Sequence, residues 1–254
     1  MVVGRTCFAF GLIGLGLQQF VYPGFQPFFV PFWPPEWPGQ QPLVYLFNII
    51  LILAGGSIIF DFHARIINLY IGVLFLCIFA FLHIPFQMQS NPSALGAWTN
   101  AFKILAFSGG AFIVGQSFDV SREEGFVRVL VKLARFGRIF LGAMLLVFGI
   151  DHFLYATGVA TLVPTWIPFS LFWTYFAGVA LIGAGVSIII HFQLRLVGIL
   201  TGVMIFIWFL VLHIPRAVAM PQVLNGNEVT SVMQSLAFAG VCFVLAFSKR
   251  DVIR

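Results

Sequence analysis

The chain has 254 residues, of which 61% are hydrophobic and 8% charged, with a net charge of +5. Its mean hydropathy is +1.04. That balance excludes a soluble domain and points to a protein whose main solvent is lipid. Without a basic stripe or a binding motif, it also gives nucleic acid nothing to bind.

The first apolar stretch, residues 7–22, follows Arg5 and has no convincing cleavage site. It reads as a retained helix, not a signal peptide. Seven more stretches follow at roughly 43–60, 66–84, 101–118, 138–156, 171–190, 196–213 and 229–247. Each is close to the ~20 residues that cross a bilayer as a helix, the first being short. Open sheet is excluded there, because its backbone groups would go unpaired in lipid. With the N-terminus in the cytoplasm, the inner segments carry Arg5, Arg65, Arg122, Arg128, Lys132, Arg135, Arg138, Arg195, Lys249, Arg250 and Arg254. The outer segments carry only Arg216, with Lys103 near the outer end of the fourth helix. This is the positive-inside pattern, and it predicts that both termini are cytoplasmic.

Between the helices, residues 23–42 and 157–170 are rich in proline and aromatics. Proline prevents a regular helix through either. Trp33, Trp37 and Trp166 suit a headgroup layer. The two segments read as interfacial anchors or as lids over an outward-facing pocket. Residues 119–137 mix bases with Phe126, Val127, Leu130, Val131 and Leu133. They predict an amphipathic linker helix on the inner leaflet or an inward extension of the fifth helix.

The sequence also repeats. Residues 43–83 return 130 positions later, with Tyr45 as Tyr175, Ser57 as Ser187, Arg65 as Arg195, Gly72 as Gly202 and His83 as His213. Four helices per half is an even number, so both halves enter the membrane in the same sense, as parallel repeats do. The predicted fold is an all-α polytopic membrane protein with eight transmembrane helices in two parallel four-helix bundles. Residues 1–118 form the first, 119–137 the cytoplasmic linker and 138–254 the second. Gly11, Gly14, Gly16, Gly55 and Gly56, with Ala180 and Ala184, are the small residues expected at close helix crossings.

Each half then has a polar layer in its outer third. The first helix ends in Gln18-Gln19, and the fifth ends in Asp151-His152 with Tyr155 one turn on. Tyr45 and Tyr175 open the second and sixth helices, and His83-Ile84-Pro85 and His213-Ile214-Pro215 close the third and seventh. Lys103 begins the fourth, with Gln234 at the matching place in the eighth after a one-residue shift. Ionisable groups at such depth need partners and mark a site by default. Asp151, His152, Tyr155, Tyr175, His213 and His83 are therefore the candidate ligand-binding residues. Three readings stand for the histidines: hydrogen bonds between helices, contact to a quinone-like head group, and ligation of haem. Lys103 either snorkels outward or neutralises Asp151 across the halves. Glutamines in place of the acid and imidazole remove proton transfer from the first half, so any chemistry is expected in the second. Cys7, Cys77 and Cys242 sit singly in apolar runs and read as small packing residues. No metal site is expected.

At GIDHFLYA, LVPTWIP, FWTYFAGVALIGAGVSI and LHIPR the second half resembles the DoxX-like family of small membrane proteins. The residues that carry the resemblance are Gly149, Asp151, His152, Phe153, Val163, Pro164, Trp166, Pro168, Trp173, Tyr175, Gly178, Gly185, His213 and Pro215. The first half follows more loosely through Tyr45, Gly55, Gly56, His83, Pro85 and AFSGGAFI, and departs at Gln18-Gln19. Family members typically have one four-helix unit, so this chain resembles two fused units. The resemblance implies an association with quinone redox chemistry; with the outer polar layer and aromatic segments it makes the leading reading a quinone- or lipid-associated redox accessory subunit of the bacterial cytoplasmic (inner) membrane with an outward-facing polar pocket. A non-enzymatic scaffold or partner-binding subunit and a small-solute transporter are the alternatives. Expected partners are membrane lipids, a quinone, a second copy of the chain or a membrane redox protein.

Overall fold

The computed structural model describes residues 1–34, 39–119 and 125–248. Among them every regular element is helical. In chain order these are α1 (Val2–Val21), α2 (Gln40–Ile59), α3 (Ala64–Ile78), α4 (Ile84–Ser90), α5 (Thr99–Gln116), α6 (Phe126–Ala134), α7 (Gly137–Leu154), α8 (Ala156–Ala160), α9 (Ser170–Ile189), α10 (Leu194–Trp208), α11 (Ile214–Ala219) and α12 (Asn227–Phe247). Among the described residues, seven helical stretches are long and apolar enough to cross a membrane. Helix α1 has 20 residues but falls outside that set, since Arg5, Gln18 and Gln19 lower its hydropathy. The chain is a polytopic all-α membrane protein.

The third and seventh apolar stretches run further than the sequence predicted. Helix α3 continues through a five-residue π turn, Phe79–His83, directly into α4, so the helical stretch spans Ala64–Ser90. Helix α10 does the same through Phe209–His213 into α11. Pro85 and Pro215 therefore do not end their helices. A proline lacks an N–H and crowds the carbonyl one turn back. The widened π turn just before each proline takes up both defects.

Backbone detail recurs at the sequence spacing of 130. Asp61 and His63 have left-handed φ of 51° and 47°, and His191 and Gln193 have 62° and 47°. In the same two turns Phe62 N–H donates to the Ser57 carbonyl at 3.0 Å, and Phe192 N–H to the Ser187 carbonyl at 2.8 Å. His63 and His191 belong to these turns.

Packing does not respect the halves. Helix α1 packs most extensively on α12 and on α2, and α5 on α3 and α7, while α7 pairs with α9 and α10 with α12. Contact between α1 and α5, both of the first half, is slight. One apolar core joins Phe8, Leu12, Phe107, Leu141, Leu181 and Leu245. The halves thus share their first and last helices instead of standing as separate bundles. Small residues make this possible. A Cβ on Gly240 would lie 2.6 Å from the Gly4 carbonyl oxygen, and one on Gly4 would lie 2.7 Å from that of Gly240. Gly11 meets Ala237 and Gln18 meets Thr230, so α1 and α12 run antiparallel, with residues 4 and 240 at the same end of the molecule. Gly142 and Gly185 bring α7 and α9 together in the same way. Burial follows this plan: 72% of the apolar window of α12 is enclosed, against 22% of the window through α10 and α11.

Arginines gather where helices finish. Arg5 Nε donates to Ser117 Oγ at 2.9 Å, and its Nη2 donates to the Ser117 carbonyl. Arg65 Nη1 reaches the Phe118 carbonyl at 3.3 Å. Arg138 Nη1 donates to the carbonyls of Ile188, at 3.1 Å, and Ile189. Cations at carbonyl-rich helix ends offset unsatisfied acceptors and the helix dipole. These residues therefore do more than set topology. The linker forms α6, which docks Leu130 and Ala134 on Leu69 and Phe112. Arg135 and Phe136 separate it from α7. Residues 120–124 of the linker, Trp37 and the basic residues from Lys249 onward lie outside the described residues.

Candidate functional site

In the first half most of the polar layer bonds internally, while Gln18 Oε1, Asn48 Nδ2 and His83 Nδ1 are buried without a hydrogen bond. Gln18 Nε2 donates to the Gly226 carbonyl at 2.8 Å and to Thr230 Oγ1 at 2.6 Å, pinning the end of α1 to the start of α12. Gln19 Nε2 donates to Asn48 Oδ1 at 2.6 Å, and Gln19 Oε1 accepts the Gln26 N–H at 3.2 Å. The Gln26 bond draws the segment after α1 inward. Phe28 and Phe29 are 2% and 0% exposed. Phe28 lies 5.1 Å from the Phe107 ring, and Phe29 lies 4.7 Å from Phe47 and 6.3 Å from Phe75. His83, fully buried, donates from Nε2 to the Phe28 carbonyl at 3.1 Å. The proline-rich segment is therefore neither an anchor nor a lid at this point. It is a plug.

The corresponding space in the second half is open. The residues 130 positions beyond Phe47 and Phe75 are Ala177 and Ile205, and both line a cavity of about 400 Å³. Its walls come from the start of α5, from α7, α9, α10 and α12, and from the segment around α8. Met144, Phe148, Leu181, Met204, Trp208 and Phe238 make most of the surface apolar.

The side chains of Asp151, His152, His213, Gln234 and Lys103 supply the polar part of the lining. Asp151 Oδ1, His213 Nδ1 and Gln234 Nε2 are buried and form no hydrogen bond. His152 Nδ1 meets the Phe148 carbonyl at 2.7 Å. A carbonyl has no proton to give, so Nδ1 is the donor and Nε2 is left as an acceptor. Lys103 also lines the cavity, with its Nζ 5.8 Å from the Phe148 ring centroid. It turns inward and does not snorkel. It shares the cavity with Asp151, yet among the described residues the two form no ion pair. Unpaired buried polar atoms cost roughly 1–3 kcal/mol each. Apolar walls with a few polar side chains are what a site for an amphipathic small molecule needs.

Of the six residues singled out from sequence, Asp151, His152, Tyr155 and His213 meet at this cavity. Tyr155 OH accepts the Gly96 N–H at 3.2 Å and so ties α7 to the turn before α5. Tyr175 lies elsewhere, half-exposed on α9 and tilted against Phe153 at 5.5 Å, while Tyr45 stacks on Phe20 at 5.4 Å. His83 is taken by the plug. Sequence reasoning missed the apolar walls and the pair Arg216–Glu228. That pair forms a fork, Nε to Oε2 at 3.0 Å and Nη2 to Oε1 at 2.7 Å, holding the helix beyond His213 to the first turn of α12. The signal was there: Arg216 is the one base of the outer segments, and Glu228 is an acid at a helix start. Among the described residues no group of three or more His, Cys, Asp or Glu is arranged to hold a metal ion.

Residues 141–244 match the family described as a domain of unknown function, DUF8561. The match runs through the helices that wall the cavity. No curated protein and no solved structure matches the chain.

Proposed function

We propose that the second half binds one amphipathic small molecule, with its polar head among Asp151, His152, His213, Gln234 and Lys103 and its apolar body against Met144, Leu181, Met204 and Trp208. The observation that carries this reading is an apolar cavity with the ionisable side chains of Asp151, His152, Lys103 and His213 gathered in its lining. Ionisable side chains at that depth mark a site by default. The resemblance to DoxX-like proteins makes a prenyl quinone or a lipid the leading class, and the protein then serves as a redox accessory subunit. Haem is the less favoured cofactor, since His83 spends its Nε2 on the plug. On this reading α1 is an eighth span and the chain is a parallel duplication, which the recurring π turns and left-handed turns support. Both termini then face the cytoplasm of a bacterial inner membrane, beside the arginine-rich helix ends.

The test is extraction of the full chain in mild detergent, followed by mass spectrometry of bound small molecules. The wild type should carry one amphipathic compound in near-stoichiometric amount. Ala177→Phe, which puts the bulk of Phe47 into the cavity, should carry less than a tenth of it. Identical contents in both proteins, matching bulk membrane lipid, would rule the reading out. A scaffold role is favoured for the first half by its own observation: Phe28 and Phe29 leave its interior filled.

A further inference from the structure

We infer that the molecule in the second-half cavity presents a carbonyl oxygen to His213 and an aromatic ring to Phe238, as the chain's own Phe28 does to His83 and Phe107 in the first half. This rests on the reading of the cavity as a ligand site and adds the chemistry of the ligand.

The two histidines are set in the same way. Each is the last residue of a five-residue π turn and precedes Ile-Pro. Each has a buried Nδ1 with no hydrogen bond. A buried N–H without an acceptor is the costlier orphan, so the ring proton belongs on Nε2. In the first half that Nε2 donates to the Phe28 carbonyl at 3.1 Å. The Phe28 ring rests edge-on against Phe107 at 5.1 Å. In the second half the donor and the aromatic wall are both retained: His213 and Phe238 line one cavity, and Phe238 touches Phe107 at 4.9 Å from the other side. What is missing is the peptide. The first half thus holds a covalently attached occupant, and that occupant shows what this arrangement of groups accepts.

Charge narrows the class further. Asp151 and Lys103 carry opposite formal charges on the walls of the same cavity, so their potentials offset and favour a neutral, dipolar occupant over an anion or a cation. The ligand class is therefore a neutral, ring-bearing carbonyl compound.

Benzophenone and diphenylmethane test this directly, because they differ only in a carbonyl against a methylene. Their binding to the purified full chain is measured by equilibrium dialysis in mild detergent, against empty micelles of the same detergent. The wild type should bind benzophenone roughly ten-fold more tightly, the worth of one hydrogen bond of about 1.4 kcal/mol. His213→Ala should lose that preference. His213→Gln, whose side-chain amide still donates, should keep most of it. Ala177→Phe should bind neither compound. Equal binding of the two by wild type, or a preference unchanged in His213→Ala, would overturn the carbonyl assignment and leave the cavity as an apolar site. Binding of neither by wild type would overturn the ligand site as well.

Discussion

The two halves carry the same histidine on the same π turn, and they spend it differently. His83 closes a filled interior, while His213 faces an open one. Three substitutions account for most of the contrast. Phe47 and Phe75 in the first half correspond to Ala177 and Ile205 in the second, and Gln19, which holds the plug through Gln26, has no counterpart that binds the segment after α7 in that way. The comparison teaches that an empty site and a packed one are separated here by side-chain volume and by the segment that follows the first helix of each half.

The comparison breaks most severely at Phe29. Phe29→Ala should cost about 3–5 kcal/mol, because a fully buried ring is removed and its neighbours collapse only in part. Chemical unfolding in mild detergent reads this out. A loss below about 1 kcal/mol would mean that the plug is ornamental. Next come the histidines. His83→Ala strands the Phe28 carbonyl and should cost roughly 1–3 kcal/mol, whereas His213→Ala, with no protein partner to strand, should cost less than about 1 kcal/mol in ligand-free protein. Equal losses would erase the asymmetry between the halves. The smallest change in stability is expected for Ala177→Phe, within about 1 kcal/mol, since the ring enters existing space. A much larger loss would show that the cavity walls cannot accept what Phe47 supplies across the molecule.

Much of the membrane architecture was legible because lipid imposes simple rules. Long apolar runs must be helices, and a repeat that preserves Ser57/Ser187 and His83/His213 preserves the turns in which they stand. The cluster of Asp151, His152, Tyr155 and His213 was legible for the same reason, since charge and imidazole at a helix end inside lipid need explaining. Three things were not. Phe28 and Phe29 read as part of an aromatic interfacial loop, because hydropathy does not distinguish a ring facing a headgroup from one facing a core. Lys103 has a stem long enough to reach either way, and only the positions of its neighbours decide. The pairing of α1 with α12 depends on Gly4 meeting Gly240, and glycines this common in membrane helices do not name their partners.

That last pairing bears on how the protein is made. Helix α1 leaves the ribosome before its principal partner α12, with α2 to α11 between them. The Gly4–Gly11 face of α1 must wait uncovered, or be held by something else, until α12 has been made. Contacts so distant along the chain form slowly. Nascent chains stopped before α12 should therefore stay protease-sensitive in α1, and chains that include it should become resistant.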